Sequence, residues 1–222
     1  CFSSESCALQ DYNYLRNLHP GELVFCDGNK LKTFYHLNRE KPKKCIFEYI
    51  YFMNKESLVE DKKLEYIRYQ VGQKISQEDQ KFDPKNTIVC GCPQTGISYG
   101  QGYSDGKSLK YQQILRKKLI NNRTFILPEN KDRIISIQKN LIIDGNVENK
   151  DLILLDDSLV RGNTMKNIVQ KLKDNGAKSV HVRITSPPVR FPCYFGIDMP
   201  SFDELIASKM TIEKIREFIG AT

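Results

Sequence analysis

"LILLDDSLVRGNT", residues 152–164, decides the reading of the chain. Leu152 to Leu155 form a continuous apolar run, the mark of a parallel strand covered on both faces, and Asp156 and Asp157 stand where that strand stops. Burying either charge without a partner costs several kcal/mol, so the pair needs something to hold. Beyond it, Met165, Ile168, Val169 and Leu172 recur at i, i+3, i+4 and i+7 and predict an amphipathic helix that stops at "DNG", where Gly176 suits a left-handed cap. "SVHVRI" then alternates Val180, Val182 and Ile184 as a strand does. Strand, loop, helix and strand within about 35 residues make a βαβ unit and predict an α/β fold, a mainly parallel sheet flanked by helices.

In open α/β sheets ligands bind at the carboxyl ends of the strands, where the loop into the next helix offers N–H groups at a positive helix end. "DSLVRGNT" has the parts of a phosphate cradle. Ser158, Asn163 and Thr164 can hydrogen-bond phosphate oxygens, Gly162 lets the backbone come close, and Arg161 adds positive charge nearby. Inside such a cradle Asp156 and Asp157 would repel the ligand. At its edge they would accept hydrogen bonds from sugar hydroxyls or hold Mg²⁺, directly or through water. An isolated Asp–Asp at a strand end reads otherwise as one helix cap and one surface charge; the flanking residues count against that here.

The 222 residues, 40% apolar and 27% charged, are enough for one large domain with a full core, and no repeat or Pro/Ser-rich linker divides them. No window approaches a membrane span, and "CFSSESCALQ" has neither a basic leader nor an apolar run, which predicts an intracellular, cytoplasmic protein. Seven cysteines at irregular positions fit free thiols in a reducing compartment, and the Cys90-Gly91-Cys92 pair reads as two half-buried small residues rather than as a metal site. The net charge of +7 favours anionic partners. Because the lysines are scattered in pairs with no long basic tract, nucleic acid is not expected.

Elsewhere "CIFEYIYF" (45–52) reads as an aromatic strand, and residues 59–78, with Leu64, Ile67, Val71 and Ile75, as a helix. "NTIVCGCP" (86–93) is a short buried strand broken at Pro93, and "PQTGISYGQGYSDG" (93–106), with four glycines in fourteen residues, is a loop that turns tightly or approaches something closely. "TIEKIREFIG" (211–220) is a packing helix, capped by Thr211, with Ile212, Ile215 and Ile219 on one face.

These residues carry a resemblance. "LLDDSLVRGNT" resembles the signature of type I phosphoribosyltransferases, which use 5-phosphoribosyl 1-pyrophosphate (PRPP). More narrowly, "SSESCAL", "CIFEYIYF", "RTFI", "DDSLVRG", "TSPPVRFPCYFGIDMP" and "ELIA" resemble, in order, the phosphoribosyltransferase half of the amidophosphoribosyltransferase family, from Ser3 to the last residues. The resemblance implies the type I fold over 1–222, with a small N-terminal hood-like region and a flexible loop. It implies transfer of ammonia to C1 of PRPP with release of pyrophosphate, the first committed step of purine synthesis. Asp156 and Asp157 would hold the ribose hydroxyls and Mg²⁺, and Ser158, Leu159, Val160, Arg161, Gly162, Asn163 and Thr164 would wrap the 5-phosphate. "CPQTGIS" would be the pyrophosphate loop, supplying Gln94, Thr95, Gly96, Ile97 and Ser98, and "KKLINNRTFI" the basic lid, supplying Lys117 and Arg123 to the catalytic site.

The chain departs from the family pattern in places. Leu119 and Ile120 stand where the lid has Arg and Tyr, Gln94 where the pyrophosphate loop has an acid, and Gly96 where it has a serine associated with the metal. Ordinary divergence explains these changes; the competing reading is a non-catalytic module that senses PRPP or purine nucleotides. The family's glutaminase domain has no counterpart in these residues, and Cys1, followed by "FSSESCAL", is not its nucleophile. The nitrogen would then come from free ammonia or from a separate glutaminase chain. Cys45 and Cys193 resemble two of the four iron–sulfur ligands of some members, but the later Cys-x-x-Cys pair has no counterpart, so no cluster is expected. The family habit predicts a homo-oligomer.

Overall fold

A computed structural model describes residues 1–28, 30–35, 43–117, 141–195, 197, 199 and 201–222. Among them the elements run β1 (Glu22–Cys26), β2 (Leu31–Tyr35), β3 (Leu58–Val59), β4 (Lys62–Lys63), α1 (Leu64–Glu78), β5 (Thr87–Gly91), α2 (Gly96–Lys107), β6 (Lys110–Tyr111), β7 (Leu115–Lys117), β8 (Leu141–Ile143), β9 (Asp151–Asp156), α3 (Asn163–Asp174), β10 (Ser179–Ile184), α4 (Ile206–Lys209) and α5 (Ile212–Ile219).

The two apolar runs read as strands form the centre of a four-stranded parallel sheet in the order β10-β9-β5-β6. Their side chains alternate between two helical layers. Ile88, Cys90, Leu152 and Leu154 face Met165, Ile168, Val169 and Leu172 of α3 together with Ile219 of α5. Val89, Ile153 and Leu155 pack with Tyr99 and Tyr103 of α2. Because both faces are covered, the strands are apolar throughout rather than alternating. The α3 stripe is buried as its spacing predicts, and the helix ends at Asn175 with Gly176 at φ +88°. Thr211 caps α5, its side chain accepting from the Lys214 N–H at 3.4 Å. Ile212, however, is 63% exposed, and the packed residues of that helix are Ile215, Phe218 and Ile219.

Four further expectations from the sequence are corrected. The glycine-rich stretch is not a loop: from Gly96 onward it is α2. Its glycines serve close approach, since a Cβ at Gly102 would lie 1.9 Å from the Tyr69 carbonyl oxygen of α1, and one at Gly72 of α1 would lie 2.0 Å from that of Tyr99. Helix α1 begins at Leu64 rather than 59, after the small β3–β4 hairpin, and its buried stripe is Leu64, Arg68, Gly72 and Ser76, with Ile67, Val71 and Ile75 only partly buried. Gly72 and Ser76 are small because α2 passes close against them. "CIFEYIYF" is not a strand; residues 48–52 form a π-helical turn. Among the described residues no strand pairs with it, and two of its carbonyls are taken by side chains: Ile50 O accepts from Tyr99 Oη at 3.3 Å, and Tyr49 O from Arg68 Nε at 2.9 Å. Cys90 and Cys92 are fully buried rather than half-buried, and burial pushes both thiols upward, Cys90 to about 11.

The N-terminal region is an antiparallel β1–β2 hairpin on an extended arm, anchored where Glu5 Oε2 accepts from the Asn54 N–H and from Ser57 Oγ, each at 2.7 Å. β7 pairs antiparallel with β8, a ribbon that leads into and out of residues 118–140.

Candidate functional site

The acidic pair lies where the sheet order turns. From β5 the chain passes through α2 to β6 on one side, while β9 lies on the other, so the carboxyl ends of β5 and β9 flank a topological switch point. Helix α2 starts just after β5 and α3 just after β9, so two positive helix ends meet at this edge. The residue preceding each helix, Thr95 and Gly162, places no side-chain cap on it. Gly96 is pressed against β9, where a Cβ would lie 2.3 Å from the Leu155 carbonyl oxygen, and the Cys92 N–H donates to that same oxygen at 2.8 Å.

Asp157 is only 6% exposed and uses both carboxylate oxygens on hydroxyls. Thr95 Oγ1 donates to Oδ2 and Ser158 Oγ to Oδ1, each at 2.6 Å. The Thr95 bond ties the loop after β5 to the loop after β9 across the switch point. From the third side, Ser186 N–H and Thr185 Oγ1 donate to the Asp157 carbonyl at 2.8 and 3.2 Å, joining the loop after β10. Asp156 keeps part of its surface on the crevice, and its Oδ1 accepts the Asp157 N–H at 3.0 Å. Packing around its carboxyl, and then the neighbouring Asp157 charge, push it well above the usual carboxylate range; the Asp157 N–H and the Lys117 cation pull the other way. Burial that disfavours the Asp156 anion is offset when a cation binds beside it, and the hard oxygens of the pair suit a divalent one.

Beneath the pair sits Arg68, 4% exposed, with Nε on Tyr49 O at 2.9 Å and Nη2 on Met53 O at 3.0 Å. Burial lowers its affinity for the proton, and Tyr99 and Asp157 oppose that effect. The sequence reading missed Arg68, Tyr99, Thr185 and Ser186. One signal was available for the first: Arg68 lies four residues after Leu64, on the face of α1 that turns inward.

The structure brings Gln94, Thr95, Gly96, Ile97 and Ser98 to one lip and Asp156 to Thr164 to the other. Gln94 is exposed and Ser98 buried, and the Pro93–Gln94 peptide bond is cis. Leu159 and Val160 turn their side chains into separate apolar clusters. Gly162, at φ +78°, caps α3, and Asn163 and Thr164 lie exposed in its first turn. The Arg161 guanidinium pairs with Glu204. Lys117 is exposed at the end of β7. Arg123 and the remainder of the predicted lid lie outside the described residues. Cys45 is exposed, and Cys193 packs against the Val189, Met199 and Leu205 cluster.

This sheet, with an acidic pair and a helix start at its switch point, is the type I phosphoribosyltransferase fold. No family model matches the chain. Over 99% of its length it is homologous to part of the amidophosphoribosyltransferases: 37% identical to the chloroplastic enzyme of Vigna aconitifolia, covering 45% of that protein, and 35% identical to those of Pyrococcus horikoshii and Homo sapiens, covering 48% and 43%. Among solved structures, glutamine PRPP amidotransferase from B. subtilis, complexed with ADP and GMP, superposes over 98% of this chain and 48% of its own, with a TM-score of 0.86 and 35% identity. A structure described as the allosteric regulatory enzyme of purine biosynthesis matches with the same score and identity and 47% of its own chain. The chain therefore spans less than half the length of the curated relatives it matches.

Proposed function

We propose that these 222 residues are the phosphoribosyltransferase unit of a purine-synthesis enzyme, transferring ammonia to C1 of PRPP with release of pyrophosphate. The observation that carries this reading is the Thr95–Asp157 hydrogen bond, which sets a pyrophosphate-type loop and an acidic phosphoribosyl loop on either side of one switch-point crevice. Main-chain N–H groups at the start of α3 receive the 5-phosphate, Asp156 accepts from the ribose diol, and the start of α2 faces the pyrophosphate. As the ammonia nitrogen bonds to C1, the C1–oxygen bond breaks, its electron pair leaves with pyrophosphate, and the new amine gives a proton to solvent. Alignment and charge stabilisation are then the protein's main tasks.

The donor set fits Mg²⁺. Among the described residues no three His, Cys, Asp or Glu side chains cluster, so Asp156 and Asp157 would hold the ion with PRPP oxygens completing its shell. Bound there, Mg²⁺ would neutralise charge on the departing pyrophosphate. Lys117 stands at the root of the lid segment, where its cation acts on Asp156, and with Arg123 it would cover the bound ligand and keep water out. The nitrogen enters as ammonia, and the unit self-associates. No helix among the described residues is long and apolar enough to cross a membrane, and the proposed place of action is the cytoplasm.

Ammonia-dependent pyrophosphate release from PRPP and Mg²⁺ tests this, with Asp156→Asn and Asp157→Asn as controls. The wild type is expected to turn over and both variants to lose at least a hundredfold in kcat/KM, about 2.7 kcal/mol of transition-state stabilisation. Tight PRPP binding without turnover refutes the transferase reading and leaves a sensing module.

A further inference from the structure

We infer that Glu204 is a positioning residue for the phosphate cradle and that Arg161 acts through it rather than on the ligand. The inference rests on the reading of residues 158–164 as a phosphoribosyl loop. An arginine in such a loop is ordinarily assigned to the phosphate. Here Arg161 Nε donates to Glu204 Oε2 at 2.8 Å, and Nη2 donates to the same oxygen. The neighbouring residues bind the same two segments together. The Ile206 N–H donates to the Val160 carbonyl at 2.9 Å, and the space a Gly162 side chain would need is filled by Ile206 Cδ1 and Phe218 Cε1, 3.0 and 3.2 Å from the Cβ position. Residues 160, 161 and 162 are thus each held by the segment that runs from Glu204 through α4 to α5.

That segment is braced in turn. Glu204 ends a 3₁₀ turn (Phe202–Glu204), Ser208 Oγ donates to Phe202 O at 2.8 Å, and Lys209 pairs with Asp203 at 2.8 Å. A cradle built of main-chain N–H groups grips phosphate only while those groups point inward, and Gly162 leaves this loop more freedom than other residues would. The clamp supplies the missing restraint. Both side chains of the ion pair are partly exposed, 43% and 35%, so the pair contributes little to global stability and its removal is read in binding instead.

Affinities for ribose 5-phosphate and, separately, for inorganic pyrophosphate are measured by calorimetry on the whole chain, for the wild type, Glu204→Ala, Glu204→Gln, Arg161→Ala and the double alanine variant. Glu204→Ala and Arg161→Ala are each expected to weaken ribose 5-phosphate roughly tenfold, as a displaced cradle does. The double variant should lose no more than either single one, Glu204→Gln should fall between, and pyrophosphate affinity and Tm should stay near wild type. Tighter ribose 5-phosphate binding by Glu204→Ala overturns the inference, because a freed Arg161 is then a phosphate ligand; so do losses that add in the double variant. Should the wild type bind no ribose 5-phosphate, the phosphoribosyl reading itself fails. The clamp is then judged by hydrogen exchange, which must quicken at the amides of 162–164 in Glu204→Ala, and unchanged rates refute it.

Discussion

Thr95→Val is the sharpest probe of how the crevice is assembled. Valine keeps the β-branched shape and removes only the hydroxyl that donates to Asp157 Oδ2 at 2.6 Å. Thr95 makes no capping bond to α2, so no helix-end contribution is lost with it. With Asp157 6% exposed, water has little room to replace the missing donor, and Ser158 Oγ is left on the other oxygen. A hydrogen bond to a charged group contributes about 1.5–3 kcal/mol, so the variant should be less stable by about 2 kcal/mol. At a urea m-value of about 2–3 kcal/mol/M the unfolding midpoint falls by roughly 0.7–1 M. Thr95→Ser, which restores the donor, should recover most of that. Urea titrations of the three proteins at neutral pH decide it. A Thr95→Val midpoint within experimental error of wild type would show that the hydroxyl does not hold Asp157, and the two loops would have to be joined by other contacts.

Gly102→Ala forces α1 and α2 apart by roughly 1.5 Å to restore ordinary contact with the Tyr69 carbonyl. The overpacking cost of about 1–3 kcal/mol exceeds the gain of about 1 kcal/mol in helix propensity, so thermal unfolding should show a lower Tm. Arg68→Leu strands the Tyr49 and Met53 carbonyls; two lost acceptor partners at about 1–3 kcal/mol each predict a marked loss in the same assay. Burial raises the Asp79 carboxyl, but Arg183, paired with it at 2.5 Å, and Tyr103 outweigh that and hold it below its ordinary value of 3.8. A depressed folded value means stability that is complete above the unfolded value and is lost as pH falls through the folded one. Urea titrations below pH 4 should therefore show a steeper acid decline for wild type than for Asp79→Asn, and parallel curves would refute the assignment.

What the sequence determined by itself is the βαβ unit. The apolar run Leu152–Leu155, the i, i+3, i+4, i+7 stripe of α3 and the Gly176 stop are local signals, and burial on both sheet faces left no other reading. It also placed Asp156, Asp157 and the Gly162 turn at a strand's carboxyl end, because chain order alone puts a loop there. Tertiary structure decided whatever depends on partners distant in the chain. The glycines of 96–106 read equally as loop or as close packing until the α1 backbone is set beside them. In residues 48–52 the buried Arg68 and Tyr99 side chains satisfy the Tyr49 and Ile50 carbonyls. Arg161 pairs with Glu204, 43 residues away, whose carboxylate accepts from its guanidinium. Hydrogen bonds and ion pairs between remote segments leave no periodicity in the sequence, so only the folded chain reveals them.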